Sequence, residues 1–323
     1  MPTDYLVFIH GVNTHSEKGF RQDAQCLFDR IQASVNNSSR NLKPIYLFWG
    51  NVSEEATKSL LEGLQASPKW SDFWFQKLRT QQILPFVGDA ALYLSRHVSA
   101  KLVRQISDQA LEQIGLTLDE LKSPPDSGKL QGDRLHLVTH SWGTVILFDI
   151  LFAPRWEAAE VELETRQNIN NLRASFFGLG FQENQQFGIP VASIHTMGSP
   201  ISLFSLINAA GGRSFNLTPK LKELLESLYG QRDGKPLPWR NYAHPGDPIA
   251  YPLAGVLPIL LEGAQNTVRV EDIITPSCGS FLIKFFRLSQ TMLPLINGGD
   301  AHGSYWKSKE VAAAIAQAIQ LPS

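Results

Sequence analysis

The sequence predicts an α/β protein with a mostly parallel central sheet flanked by helices. Short, unbroken apolar runs recur along the chain, and such runs are typical of strands that are buried on both faces of a parallel sheet. Between them lie segments whose apolar residues are three or four positions apart, which is the spacing of helices that cover a sheet. Because the two patterns alternate, the favoured architecture is a parallel sheet with helices on both faces.

Six strands are predicted for this sheet, the first four of them from apolar runs. They span residues 5–9, 44–49, 135–138, 191–197, 241–243 and 267–274. Helices are predicted over residues 20–31, 144–151 and 309–319, and another between Thr218 as N-cap and Gly230 as its stop. Ligand sites of parallel sheets lie at the carboxyl ends of the strands. The candidates for function are therefore the residues that follow strands: His10, Ser141, Ser199, Asp247 and His302.

Two long connections are predicted to be insertions in a single domain that spans residues 1–323. They cover about residues 51–133 and 202–238, and long insertions at the functional edge of a sheet often form a lid or cap. The first contains an aromatic cluster that would contact acyl chains if it is a lid: Trp70, Phe73, Trp74 and Phe75. The alternative is that the insertions are ordinary helical cover for the core.

The composition argues against several kinds of partner. The net charge is −1 without a basic run, so neither nucleic acid nor an anionic membrane surface is an expected ligand. No apolar run is long enough to cross a bilayer and the N-terminus lacks a signal-peptide pattern, so we expect a cytoplasmic protein without an integral membrane segment. The histidines show no metal-ligand spacing, and no metal or cofactor is expected. Cys26 and Cys278 are expected to be reduced thiols, the alternative being one long-range disulfide.

The stretch THSWGT, residues 139–144, joins a predicted strand to a predicted helix. A serine on such a turn is lifted clear of the backbone, and the helix N-terminus directs its amides toward it. A serine hydroxyl becomes a nucleophile when a histidine accepts its proton and an acid orients that histidine. Ser141 is therefore the candidate nucleophile, and the following amide, that of Trp142, could donate to an oxyanion.

With these residues the chain resembles the α/β-hydrolase fold superfamily, and more narrowly its serine esterases and lipases. The resemblance rests on FIHG after the first strand, THSWG at the turn, and the later stretches TMGSP, NYAHPGDPIA and AHGSYW. It implies Ser141 as nucleophile, Asp247 as acid and His302 as base, in the order that the family follows. It also implies an oxyanion hole formed by the backbone amides of Val12 and Trp142.

Thr139 departs from the GxSxG pattern of that family, because it replaces the first glycine. A branched residue suits the end of a strand, so we expect Thr139 to be packed there with Ser141 on a strained turn beyond it. Rival assignments remain open: His244 for the base, and Asp272 or Asp300 for the acid. His140 is expected to be a packed turn residue with its ring directed away from the serine, His195 a core residue, and Ser199 a structural or pocket-lining residue.

The predicted activity is cleavage of small-molecule or lipid-like carboxylic esters through an acyl-enzyme. His302 would deprotonate Ser141, and the two amides would hold the oxyanion. Two alternatives share these residues. One is a thioesterase, amidase or acyltransferase with the same triad, and the other is a catalytically inert binding protein on the same fold. The oligomeric state stays open.

Overall fold

The computed structural model describes residues 1–12, 14, 16–35, 39–50, 54–73, 76, 80, 84, 96–115, 132–173, 188–204, 217–261, 263–275 and 301–321. Within them the chain builds a six-stranded sheet in which every neighbouring pair is parallel. The strands are β1 (Thr3–Ile9), β2 (Asn41–Leu47), β3 (Arg134–His140), β4 (Val191–Met197), β5 (Leu237–Ala243) and β6 (Val268–Ile274). Their order across the sheet is β2-β1-β3-β4-β5-β6, which confirms the predicted α/β class.

All six strands coincide with predicted runs, but β2 and β5 begin earlier than predicted. The first half of β2 alternates between exposed and half-buried residues, and β5 opens with an alternation of buried and half-buried residues. No apolar run marks these residues, so a prediction based on such runs begins too late. Pro44 lies within β2, where the strand is at the sheet edge and a missing amide proton is tolerated.

Helices cover both faces of the sheet, as predicted. They are α1 (Glu17–Ser34), α2 (Glu54–Gln65), α3 (Arg96–Ile114), α4 (Trp142–Phe152), α5 (Leu163–Asn171), α6 (Thr218–Gln231), α7 (Leu257–Leu261) and α8 (Lys309–Ile319). On one face α1 and α8 share a buried cluster with Leu6 and Phe8 of β1. On the other, α3 to α7 share a second buried cluster with Val7 and Ile9 of the same strand. Because successive side chains of β1 point to opposite faces of the sheet, the strand contributes to two separate cores.

The predicted ends of α6 were wrong. Leu217 is the N-cap, and its side chain forms no capping hydrogen bond. Thr218 lies inside the first turn, where its hydroxyl donates to the carbonyl oxygen of Leu260 at 2.7 Å. Gly230 is helical, and the helix continues to Gln231. The threonine hydroxyl is used in a tertiary contact with α7, which local capping rules do not foresee.

Part of the first insertion serves as ordinary cover for the sheet. Helix α3 buries Leu102, Val103 and Ile106 in the core beside β2, so the alternative reading holds for this helix. Trp70 and Phe73 stack with ring centroids 5.9 Å apart, and Phe73 is exposed. Trp74 and Phe75 lie outside the described residues, as do residues 205–216 of the second insertion, so the lid stays a prediction.

The described part of the chain contains no helix that is both long enough and apolar enough to cross a membrane. Across the same residues, no group of three or more histidine, cysteine, aspartate or glutamate side chains is arranged to hold a metal ion. Cys26 is a free thiol on α1, and Cys278 falls outside the described residues.

Candidate active site

The order of the strands brings two loops together at the carboxyl edge of the sheet. The chain passes from β1 to β2 on one side and then returns to β3 on the other side of β1. Such a reversal opens a crevice at the strand ends, where α/β proteins place their ligand sites. The residues that follow β1 and β3 at this point are His10 and Gly11 on one strand and Ser141 on the other.

Ser141 occupies a strained backbone conformation between β3 and α4. Its φ is 54° and its ψ is −133°, a region that is unfavourable for a residue with a Cβ atom. Among the described non-glycine residues only Asp233 shares a positive φ. The amide of Ser141 donates to the carbonyl oxygen of Met197 at 2.9 Å, so the sheet anchors the turn. Trp142 is then the first residue of α4.

Two glycines let the neighbouring backbone approach this turn. A methyl group added at Gly143 would lie 2.1 Å from the carbonyl oxygen of His10, and one added at Gly11 would lie 2.3 Å from the Cβ atom of Ser141. Real Cβ atoms do not approach other atoms so closely. The loop after β1, which carries Val12, is thus pressed against the start of α4, which carries Trp142. Val12 is half-buried and packs against the core.

His10 holds this loop in place. Its Nε2 atom accepts a hydrogen bond from the amide of Trp49 at 3.0 Å. The proton of the neutral ring therefore resides on Nδ1, which donates to the carbonyl oxygen of Gly11 at 2.6 Å. The indole of Trp49 donates in turn to the carbonyl oxygen of His10 at 2.8 Å and stacks on the imidazole. His10 thus fixes the course of the backbone that leads to Val12.

Thr139 lies where the sequence predicts it, at the end of β3 and fully buried. Its hydroxyl is 2.8 Å from that of Thr144 in the first turn of α4, so the threonine links the strand to the helix across the elbow. A glycine in this position could not make that bond. The structure therefore confirms the packed strand end with a strained serine beyond it.

Asp247 and His302 lie side by side, although 55 residues separate them in the chain. Nδ1 of His302 is 2.9 Å from Oδ2 of Asp247. Since a carboxylate can only accept, the imidazole donates through Nδ1 and Nε2 is left to face other groups. The other carboxylate oxygen, Oδ1, accepts from the amide of Ile249 at 2.9 Å. The carboxylate is buried, while His302 is partly exposed.

The surroundings keep Asp247 ionised. Burial by itself raises the pKa of this carboxyl, but the hydrogen bonds from His302, Tyr305 and the amide of Ile249 outweigh it, so the pKa lies below its usual range. A buried anion of this kind orients an imidazole and stabilises it when it becomes charged. Gly198 makes the cluster compact, because a methyl group there would lie 2.7 Å from Oδ2 of Asp247 and 3.1 Å from Nδ1 of His302.

Ser141 and His302 do not form a hydrogen bond in this structure. Both the serine Oγ and the histidine Nε2 are buried, and neither has a hydrogen-bond partner among the described residues. His140 lies beside both. It adjoins Ser141 in the chain, its ring centroid is 4.6 Å from that of His302, and its Nε2 donates to the carbonyl oxygen of His302 at 2.7 Å.

His140 is packed, as expected, and its ring lies against that of His302. The sequence analysis did not foresee this contact with the candidate base. Burial lowers the pKa of His140 to about 3, with a further contribution from the neighbouring His302. The ring is therefore neutral near pH 7, and it carries its proton on Nε2, which donates to the carbonyl oxygen.

The rival residues have other partners. Asp272 accepts hydrogen bonds from Asn241 and from the amides of Leu253 and Ala254, so it holds the loop after β5. Nδ1 of His244 accepts from the amide of Gly246 at 3.0 Å. Asp300 lies outside the described residues.

Two further residues match the expected structural roles. The hydroxyl of Ser199 accepts from the amide of Ile201 at 3.2 Å, within the turn after β4. His195 is fully buried in the interior of the sheet. The His195 ring is bonded to Ser193 and Tyr242, which keeps it in the core.

Tyr305 is a member of this cluster that the sequence analysis missed. Its hydroxyl donates to Oδ2 of Asp247 at 2.7 Å. The one available signal was its spacing of three residues from His302, which places both side chains on the same side of a helical turn. Nothing in the sequence indicates that this side faces Asp247.

A parallel sheet flanked by helices, with a serine on a strained turn between a central strand and a helix, is the arrangement of the α/β-hydrolase fold. No family model matches the chain, and no curated protein matches it. Among solved structures the chain is similar to a dienelactone hydrolase from Anabaena variabilis ATCC 29413, at 12% identity, a TM-score of 0.30, and coverage of 93% of this chain and 84% of that one. It is also similar to an iodinated complex of acetyl xylan esterase, at 11% identity, a TM-score of 0.30, and coverage of 97% and 96%. At these TM-scores the fold assignment rests on the sheet and the elbow alone.

Proposed function

We propose that the protein is a serine hydrolase that cleaves carboxylic esters through an acyl-enzyme. The observation that carries this proposal is the meeting of three features at one sheet edge. They are the strained Ser141 at the start of α4, the Asp247–His302 pair, and the close approach of the loop after β1 to Ser141 and to the first turn of α4. Each has a separate part in acyl transfer.

The chemistry divides into two halves. In the first, Nε2 of His302 accepts the Ser141 proton while Oγ attacks the ester carbonyl, and the amides of Val12 and Trp142 stabilise the oxyanion. The imidazolium, held by Asp247, then gives its proton to the leaving alkoxide, and an alcohol departs. In the second half, water attacks the acyl-enzyme with His302 as base, which releases the acid and restores the serine.

The first step requires Ser141 and His302 to come within hydrogen-bond reach, at about 3 Å. Catalytic hydrogen bonds are often long in ligand-free enzymes and shorten in the substrate complex. Rotation of the serine hydroxyl about χ1 is a small motion, and both atoms that must meet have no competing partner among the described residues. The lack of this bond also favours a second candidate, a binding protein in which the serine is inert.

The test replaces Ser141 with alanine. We expect Ser141→Ala to lower kcat/KM for a short-chain nitrophenyl ester by at least about 10³-fold, because it removes the nucleophile. Ser107→Ala is the matched control, since Ser107 is also buried but lies on α3 and donates to Val103. Unchanged hydrolysis in a folded Ser141→Ala protein would contradict the proposal.

A fluorophosphonate probe separates the enzyme from the inert binding protein. Labelling at Ser141 in the wild-type chain, and none in Ser141→Ala, supports an activated serine. Absence of labelling in the wild-type chain favours the binding protein. A panel of ester, thioester and amide donors then identifies the scissile bond, which the triad alone does not specify.

A further inference from the structure

The hydroxyl of Tyr305 is bound on both sides. It donates to Oδ2 of Asp247 at 2.7 Å and accepts from the amide of His244 at 2.8 Å. Oδ2 is the same oxygen that faces Nδ1 of His302 at 2.9 Å. A single carboxylate oxygen therefore serves two side-chain donors, one from the tyrosine and one from the imidazole.

The position of Tyr305 is rigidly determined. Its side chain is fully buried and lies on the short 3₁₀ helix Ser304–Lys307, three residues after His302. A methyl group at Gly198 would lie 2.8 Å from Cε2 of the ring, so β4 confines the ring from the other side. Because Tyr305 and His302 share one segment, the tyrosine ties that segment to the loop that carries Asp247.

We propose that Tyr305 is a positioning residue of the active site, which sets how strongly Asp247 holds the His302 imidazole. This proposal rests on the proposed function. Two donors divide the negative charge of Oδ2 between them, so each hydrogen bond is weaker than it would be alone. The tyrosine thereby limits the strength of the bond to Nδ1 and also fixes the plane of the carboxylate.

The protonation state of Tyr305 agrees with this role. Burial raises the pKa of the tyrosine, and the adjacent charge of Asp247 raises it further. The hydroxyl therefore keeps its proton, acts as donor to the carboxylate at every working pH, and takes no part in proton transfer.

The test removes only the hydroxyl, with Tyr305→Phe. Loss of the competing donor strengthens the bond between Asp247 and His302, so the low-field NMR resonance of the Nδ1 proton should move further downfield. The imidazole then holds its additional proton more tightly. We expect the acid limb of the kcat/KM profile to move up by about one pH unit, which lowers kcat/KM on that limb about tenfold and restores it at higher pH.

Tyr46→Phe is the matched control. Tyr46 is a buried tyrosine whose hydroxyl donates to Gln25 on α1, away from the candidate site. A structural role for Tyr305 would lower the profile at every pH without moving its limb or the Nδ1 resonance, and that result would overturn the proposal. The NMR measurement does not depend on turnover. Its failure is thus distinct from failure of the proposed function, which unchanged hydrolysis in Ser141→Ala would reveal.

Discussion

At the residue scale, the site depends on glycines that leave room for other side chains. Gly11, Gly143 and Gly198 each face an atom that a methyl group would approach within 2.8 Å. Their neighbours are the Ser141 side chain, the backbone of His10 and the Asp247 carboxylate. The strain at Ser141 is supported in the same way, since the chain on each side of it has no freedom to relax.

Gly11→Ala tests this close packing directly. Its methyl group would lie 2.3 Å from Cβ and 2.8 Å from Oγ of Ser141, so the serine or the loop must move. Displacement of a reacting group by about 1 Å can cost about 10²-fold in rate. We expect at least that loss of kcat/KM, and slower fluorophosphonate labelling.

Gly255→Ala provides the control, because nothing lies within 4 Å of a methyl group placed there. It should retain wild-type hydrolysis and thermal stability. Equal activity in Gly11→Ala and Gly255→Ala would show that the loop after β1 is not pressed against the serine as described.

At the scale of elements, helix α3 completes the edge of the sheet. Strand β2 has β1 as a neighbour on one side only. On the other side Gln109 and Gln113, four residues apart on α3, bond to the backbone of Phe48 and Tyr46 through both the donor and the acceptor of each amide. Gln105 adds a donor to the carbonyl oxygen of Phe48. The glutamines thus take the place of a seventh strand for these two residues.

Gln113→Ala should expose this edge. The amide and carbonyl of Tyr46 lose their partners at 2.8 and 2.9 Å, which we expect to lower the free energy of unfolding by about 1–3 kcal/mol. Unpaired edge strands recruit other chains, so self-association should also increase. Urea denaturation and light scattering measure the two effects.

The matched control for the edge is Gln22→Ala, which alters an exposed glutamine on α1. Both changes introduce the same good helix former, so differences in helix propensity cancel. If the two variants are equally stable and equally monodisperse, the glutamine contacts do not protect the edge.

At the scale of the whole molecule, buried neutral histidines make stability depend on pH. A polar chain crosses the interior from Nδ1 of His136 through the hydroxyl of Ser193 to His195 and Tyr242, with steps of 2.7, 2.8 and 3.1 Å. Burial lowers the pKa of both histidines. They are therefore uncharged in the folded state at a pH where the unfolded chain would bind protons.

The lowered pKa values of His136 and His195 determine whether stability rises or falls with pH. Below about pH 6.5 these histidines bind protons in the unfolded chain but stay neutral in the folded chain. The free energy of unfolding therefore falls as the pH falls. For each histidine that stays neutral in the folded state, we expect the free energy of unfolding to fall by about 1.4 kcal/mol per pH unit. Urea denaturation between about pH 7.5 and pH 5 measures it. A free energy of unfolding that is constant over this interval would contradict the burial of neutral histidines.

The sequence supports the architecture more completely than the site. Strands β1, β3 and β4 are buried at nearly every position, and the apolar runs within them are the mark of that burial in the sequence. The hydroxyl of Thr218 and the ring of His140 are different, because their contacts lie on segments that are remote in sequence. The same applies to Tyr305, whose acceptor is brought to it only when the ends of β4 and β5 meet. Local patterns carry no information on such contacts.

The pairing of α1 with α8 also governs how the chain can fold. The apolar stripe of α1, which includes Phe20, Leu27 and Ile31, is covered by Val311, Ile315 and Ile319 of α8. Nearly the whole sheet must be synthesised before that cover emerges from the ribosome. Because His302 and Tyr305 directly precede α8, the cluster that they form with Asp247 can assemble only when the segment that closes the second core is available. A partly made chain therefore leaves the apolar stripe of α1 uncovered while it still lacks His302 and Tyr305.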